Sequence, residues 1–159
     1  MPFKGNILPV QSNLALWLDA MDLSTITKNG SNQVSQWLDK SGNGINLSQG
    51  TAISQPTYNA SGLNSKPTLV FEGAEAAKTH FMSNASFLGL SENFEMHLVI
   101  KRTMADVAST AKPVVFISNN TLLRIDSGSV AGRVKDATDY EPAGWTDAAA
   151  VGTPFVVGM

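Results

Sequence analysis

The sequence predicts an all-β fold, two antiparallel sheets packed as a sandwich or closed as a barrel, and three observations carry that expectation. Ser, Thr, Asn and Gly make up a third of the 159 residues, as 16 Ser, 12 Thr, 12 Asn and 13 Gly. These residues favour turns and strand surfaces over helix interiors. Short apolar stretches recur at intervals of roughly 8–12 residues with turn chemistry between them, the spacing of a sandwich. No segment sustains an apolar stripe at helical period.

The elements follow in order. Leu14, Leu16 and Leu18 alternate with Ala15, Trp17 and Asp19, the pattern of a strand with one buried face. AMDLSTI, residues 20–26, supplies one helical turn with Asp22 or Ser24 as its cap. PTLVFEG (67–73) and PVVFIS (113–118) each open with proline, which a strand tolerates at its first position. The second is apolar on both faces and is expected as a central strand. The clearest strand is 93–101, where Phe94, Met96, Leu98 and Ile100 alternate with Glu95, His97, Val99 and Lys101. TMADVAST (103–110) is a second candidate helical turn, and TLLRID, SVAGRV and TPFVVG are expected as further short strands. No internal repeat or linker divides the chain, so one sandwich domain is expected over 14–159, preceded by an extended arm over 1–13.

Charge and residue usage exclude several functions. The net charge is -2, with 11 basic and 13 acidic residues dispersed along the chain. Nothing forms a basic cluster able to neutralise a row of phosphates, so no nucleic-acid partner is expected. No apolar run reaches about 18 residues, so no helical membrane span is expected. MPFKGNILPVQSN lacks the apolar stretch and small-residue cleavage site of an export signal. With no cysteine, disulfides and thiolate zinc sites are ruled out.

Candidate chemistry is sparse. In DKSGNG, Asp39, Ser41 and Asn43 alternate ahead of Gly44, as in a calcium-binding loop. Such a loop needs further oxygen ligands and a closing bidentate Glu at about position 12. Counted from Asp39, the later ligand positions fall on Leu47 and Gly50. A structural turn is therefore preferred: Asp39 and Asn43 bond local backbone amides, and Gly42 and Gly44 take positive φ. Glu72 and Glu75, like Glu92 and Glu95, are separated by odd spacing, which puts strand side chains on opposite faces. Paired-carboxylate glycoside hydrolysis is not expected from that arrangement. His80 and His97 lie on separate segments, and no nucleophile motif accompanies them. The expected inventory is thus no catalytic residue, no metal and no cofactor. Trp17 and Trp37 sit beside apolar neighbours and are expected to pack, whereas Tyr140 and Trp145, in DATDYEPAGWTD, form a candidate glycan-stacking loop.

Three motifs occur in series: W-L-D-A-x-D at 17–22, W-x-D-K-S-G-N-G at 37–44 and P-x-x-x-F-x-G at 67–73. In this order they resemble the N-terminal half of a concanavalin A-like, laminin G-like jelly-roll domain of tailed-phage virion proteins and bacterial surface proteins. The resemblance covers most of 14–118, with the second motif its most specific piece. It implies a jelly roll in which Trp37 anchors a turn fastened by Asp39, Asn43 and Gly44. Such domains run to about 200 residues, so the closing strands either lie outside this sequence or are replaced by a neighbouring subunit. AEAAKTHFM, after the third motif, departs from the usual ligand-bearing segment. By resemblance the chain is expected to be a non-enzymatic virion structural protein, a capsid decoration, head-fibre or tail-associated component. Its partners would be other virion proteins, further copies of itself and a host-surface glycan. A carbohydrate-binding module of a bacterial surface protein is the alternative.

Overall fold

The computed structural model describes residues 13–72, 80–85, 97–101, 112–118, 121–126, 129–135, 139–140 and 154–158. Eleven strands occur among them: β1 (Ile26–Lys28), β2 (Val34–Trp37), β3 (Leu47–Ser48), β4 (Thr57–Leu63), β5 (Lys66–Val70), β6 (His97–Lys101), β7 (Lys112–Ser118), β8 (Thr121–Asp126), β9 (Ser129–Lys135), β10 (Asp139–Tyr140) and β11 (Pro154–Gly158). Every pairing is antiparallel, and no α-helix occurs among the described residues. The fold is all-β, as the composition requires. The strands are ordered β1-β2-β3, β4-β5, β11-β6 and β10-β9-β8-β7.

Local chemistry explains the turns. Between β1 and β2, the Asn29 side-chain oxygen accepts from the amides of Ser31 and Gln33, both at 3.0 Å. Asn32 takes φ 63°, a left-handed conformation that asparagine tolerates better than most residues. Between β4 and β5, Leu63 pairs with Lys66, which leaves a two-residue loop of Asn64 (φ 47°) and Ser65 (φ 59°). Positive φ at both positions is what a type I′ hairpin turn demands, and its usual second residue is Gly. Ser65→Gly removes the side-chain strain at that point and is expected to stabilise the protein by about 1 kcal/mol. Chemical denaturation should register it as a higher midpoint with an unchanged slope.

Ile26, Val34 and Tyr58 form a buried cluster, with Trp37, Leu69 and Met82 packed against it. Two hydrogen bonds tie β2 to β4 around this cluster: Val34 N–H to the Pro56 carbonyl, and Tyr58 N–H to the Asn32 carbonyl, each 2.8 Å. Two buried glutamines extend the connection. Gln49 donates to the Phe81 carbonyl at 3.2 Å and accepts from the Thr51 amide at 2.9 Å. Gln55 donates to the Gln49 carbonyl at 2.8 Å, while Ser48 and Ser83 exchange backbone hydrogen bonds. Residues 80–84 are thereby fastened to β3 and the turn that follows it. Buried amides of this kind are stable only when paired.

Four expectations meet the structure differently. Residues 14–19 form no strand: all six are half-buried without alternation, because their backbone groups bond to loop side chains instead of a ladder. AMDLSTI does supply its one turn, a 3-10 helix over Leu23–Thr25 capped by Asp22. On β6, Leu98 and Ile100 are half-buried while His97, Val99 and Lys101 are exposed, as the alternation requires. β7, expected as central, ends the order β10-β9-β8-β7 and pairs only with β8 among the described residues. Its ladder carries two register shifts, which loosen the link between an apolar run and a central place. Residues 1–12 of the arm expected over 1–13, the N-terminal part of the strand expected over 93–101 and the second helical turn lie outside the described residues.

Candidate functional site

The first two sequence motifs dock on each other. Asp39 sits just after β2, where the chain leaves the sheet and turns through Gly42 (φ 94°) and Gly44 (φ 72°). Its Oδ1 accepts from the amides of Trp17 at 3.0 Å and Ser41 at 2.8 Å. Its Oδ2 accepts from the Ser41 hydroxyl at 2.7 Å and the Ile45 amide at 3.1 Å. The Asp39 amide itself donates to Asn46 Oδ1 at 2.9 Å, and the Lys40 amide to the Trp17 carbonyl at 2.8 Å. One carboxylate thus closes its own turn and binds a segment 22 residues earlier.

Asn43 acts differently from the expectation that it accepts local amides. Its side-chain nitrogen donates to the carbonyls of Leu14 at 2.8 Å and Ala15 at 3.0 Å, and to Ser41 Oγ at 3.1 Å. The reason lies in what segment 14–19 offers at that point: carbonyl oxygens, which only a donor can satisfy. The glycines behave as expected, with positive φ and open space where a Cβ would stand.

Lys40 completes the contact. Its ammonium lies 3.0 Å from Asp19 Oδ2 and 2.9 Å from Asp22 Oδ2, and 4.4 Å from the centre of the Trp17 ring. Trp17 is therefore half-buried beneath a lysine, whereas Trp37 packs on the core cluster. The electrostatics follow from these partners. Asp22 is held below its ordinary value by the Ser24 hydroxyl and the Lys40 ammonium. Burial pushes Asp39 up, but the Ser41 hydroxyl and the amides of Trp17, Ser41 and Ile45 outweigh it, so its pKa falls. Lys40 is raised, chiefly by its hydrogen bond to Asp22, against the opposing effect of burial. A lysine with a raised pKa stabilises the fold below its ordinary 10.5 and loses that contribution as pH climbs past the folded value. The stability difference between the wild type and Lys40→Met is expected to shrink above about pH 10.5 in denaturation series.

Chemically, this arrangement fastens backbone to backbone. Both oxygens of Asp39 are filled by protein donors, and no group of three or more His, Asp or Glu side chains gathers for a metal among the described residues. His80 pairs with Glu72 through the backbone: Glu72 N–H donates to His80 Nδ1 at 3.1 Å and His80 N–H to the Glu72 carbonyl at 3.0 Å. Tyr140 lies on β10 opposite Val134, at the end of its sheet; Trp145 lies outside the described residues. The chain matches no protein family, no curated protein and no solved structure. Sequence reasoning missed Gln49 and Gln55, whose burial has no signal in a residue type that is mostly exposed. It also missed that Lys40 and Asp19 meet, although the repeated Trp-Leu-Asp of the two motifs could have prompted the pairing.

Proposed function

We propose that this protein is a non-enzymatic structural component of a tailed-phage virion, a capsid decoration, head-fibre or tail-associated protein built on a concanavalin A-like jelly-roll sandwich. The observation that carries this reading is the reciprocal docking of the two tryptophan motifs. Asp39 binds the Trp17 amide while Lys40 binds Asp19 and Asp22, so the polar residues of these motifs serve the scaffold. The jelly roll accords with the all-β antiparallel architecture and with the order of the three motifs. The virion setting rests on the resemblance of those motifs. Within that setting the protein self-associates around a symmetry axis and attaches to other virion proteins, with a host-surface glycan as its outward partner.

Cryo-EM of intact particles tests this directly, with density for the chain at a symmetry-related position as the expected result. Absence from every particle, together with millimolar glycan binding lost in Tyr140→Ala and Trp145→Ala, would replace it with a carbohydrate-binding module.

A further inference from the structure

Two Asn-Gly dipeptides occur in the described chain, Asn29–Gly30 and Asn43–Gly44, and their side chains are wired with opposite polarity. Asn29 accepts from the backbone, its Oδ1 taking the amides of Ser31 and Gln33, and its one donated bond goes to an exposed side chain, Gln33 Oε1 at 2.8 Å. Asn43 works as a donor, its nitrogen aimed at the carbonyls of Leu14 and Ala15. Asparagine before glycine is thermolabile because no Cβ shields the following amide nitrogen from the side-chain carbon. At both sites the two residues are exposed to water, and a Cβ on either glycine would meet nothing within 4 Å.

We propose that Asn43–Gly44 is a spontaneous deamidation site and that its conversion releases the loop from residues 14–19. The Gly44 amide nitrogen attacks Asn43 Cγ, and a new C–N bond closes a succinimide ring. The bond from Cγ to Nδ2 breaks, and ammonia leaves with the proton from Gly44. Water then opens the ring at either carbonyl, giving aspartate or isoaspartate, with no oxidant or reductant involved. In isoaspartate Cγ has joined the backbone and the amide donor is gone, whereas aspartate puts a carboxylate where the amide donated. Its oxygens face the Leu14 and Ala15 carbonyls and Ser41 Oγ, and the new charge enters the loop that already holds the Asp39 carboxylate. Isoaspartate also lengthens the backbone by one carbon between two glycines that hold positive φ. Aspartate at Asn29 keeps the acceptor for the Ser31 and Gln33 amides and loses one exposed side-chain bond, Nδ2 to Gln33 Oε1, so that turn is weakened less.

The test is incubation of the whole protein at mildly alkaline pH, followed by tryptic mass spectrometry and melting curves. Cleavage after Lys28 and Lys40 separates the two sites, and tandem spectra assign Asn43 within the fragment beginning at Ser41. The expected result is progressive amide-to-acid conversion at Asn43, slower than in a free SGNGI peptide. Hydrogen exchange at the Trp17 and Lys40 amides should accelerate in the converted fraction. Asn43→Asp should melt about 5 °C below the wild type, and Asn29→Asp should lose less than half as much. No conversion at Asn43 while the peptide converts fully would overturn the proposal. So would an Asn43→Asp protein that melts with the wild type, or an equal loss in Asn29→Asp.

Discussion

Asp39→Ala is expected to destabilise the protein by about 3 kcal/mol, since hydrogen bonds to a charged group each contribute about 1.5–3 kcal/mol and the abandoned donors must find water. In a chain of this size that is a fall in melting temperature of about 6–12 °C. The mutation strips acceptors from Trp17 N–H, Ser41 N–H, the Ser41 hydroxyl and Ile45 N–H together. Asp39→Asn separates charge from geometry. Its remaining oxygen can still serve Trp17 and Ser41, but its NH2 group then faces the Ile45 amide, donor against donor, so about half the loss is expected. The pH dependence has a fixed sign. A carboxylate whose pKa is depressed in the fold contributes stability above its unfolded value of 3.8 and loses it as pH falls through the lower, folded value. The wild type should therefore lose stability below about pH 4 by a margin that Asp39→Ala does not show. Calcium is the discriminating addition: it should leave the wild-type melting temperature unchanged. A rise abolished by Asp39→Ala would return the loop to the metal role that its alternating oxygens suggest.

Much of this loop was legible in the sequence, and the reason is that turn chemistry is local. Gly42 and Gly44 announce positive φ, Asp39 announces a side chain that bonds amides two and six residues on, and Asp22 announces a cap. The alternation on β6 is equally local, because a strand's period of two is written in consecutive residues. What lay beyond reach is non-local. Trp17, Leu14 and Ala15 meet the loop from 22 to 29 residues away, and nothing in their types marks them as partners. Alternation at 14–18 pointed to a strand because it records side-chain character only. The backbone groups there go to Asp39, Lys40 and Asn43, a choice made in three dimensions. The β4–β5 turn was hidden for another reason: Asn-Ser is a poor substitute for Asn-Gly, and the pairing of the flanking strands holds Ser65 in a conformation it disfavours.

Trp37→Ala should cost about 3–5 kcal/mol, the range for removing a large aromatic from a packed site. The indole lies at the end of β2, packed on the cluster of Ile26, Val34 and Tyr58, and its removal opens the core where Leu69 and Met82 also meet. Trp37→Phe should cost far less than half of that. The indole N–H is buried and finds no acceptor among the described residues, and an unpaired buried donor carries a penalty of about 1–3 kcal/mol. Phenylalanine deletes that donor along with one ring, so the lost contact area and the removed penalty work against each other. Urea denaturation of the three proteins measures both effects, and the ratio of the two losses is the informative quantity. Should Trp37→Phe prove nearly as damaging as Trp37→Ala, the N–H must hold a partner outside the described residues. In that event the residue fixes this turn by hydrogen bonding as well as by bulk. A small loss would make Trp37 a packing anchor whose polar atom is tolerated. The turn would then be specified by Asp39, Asn43 and the two glycines, with the tryptophan fixing only its depth.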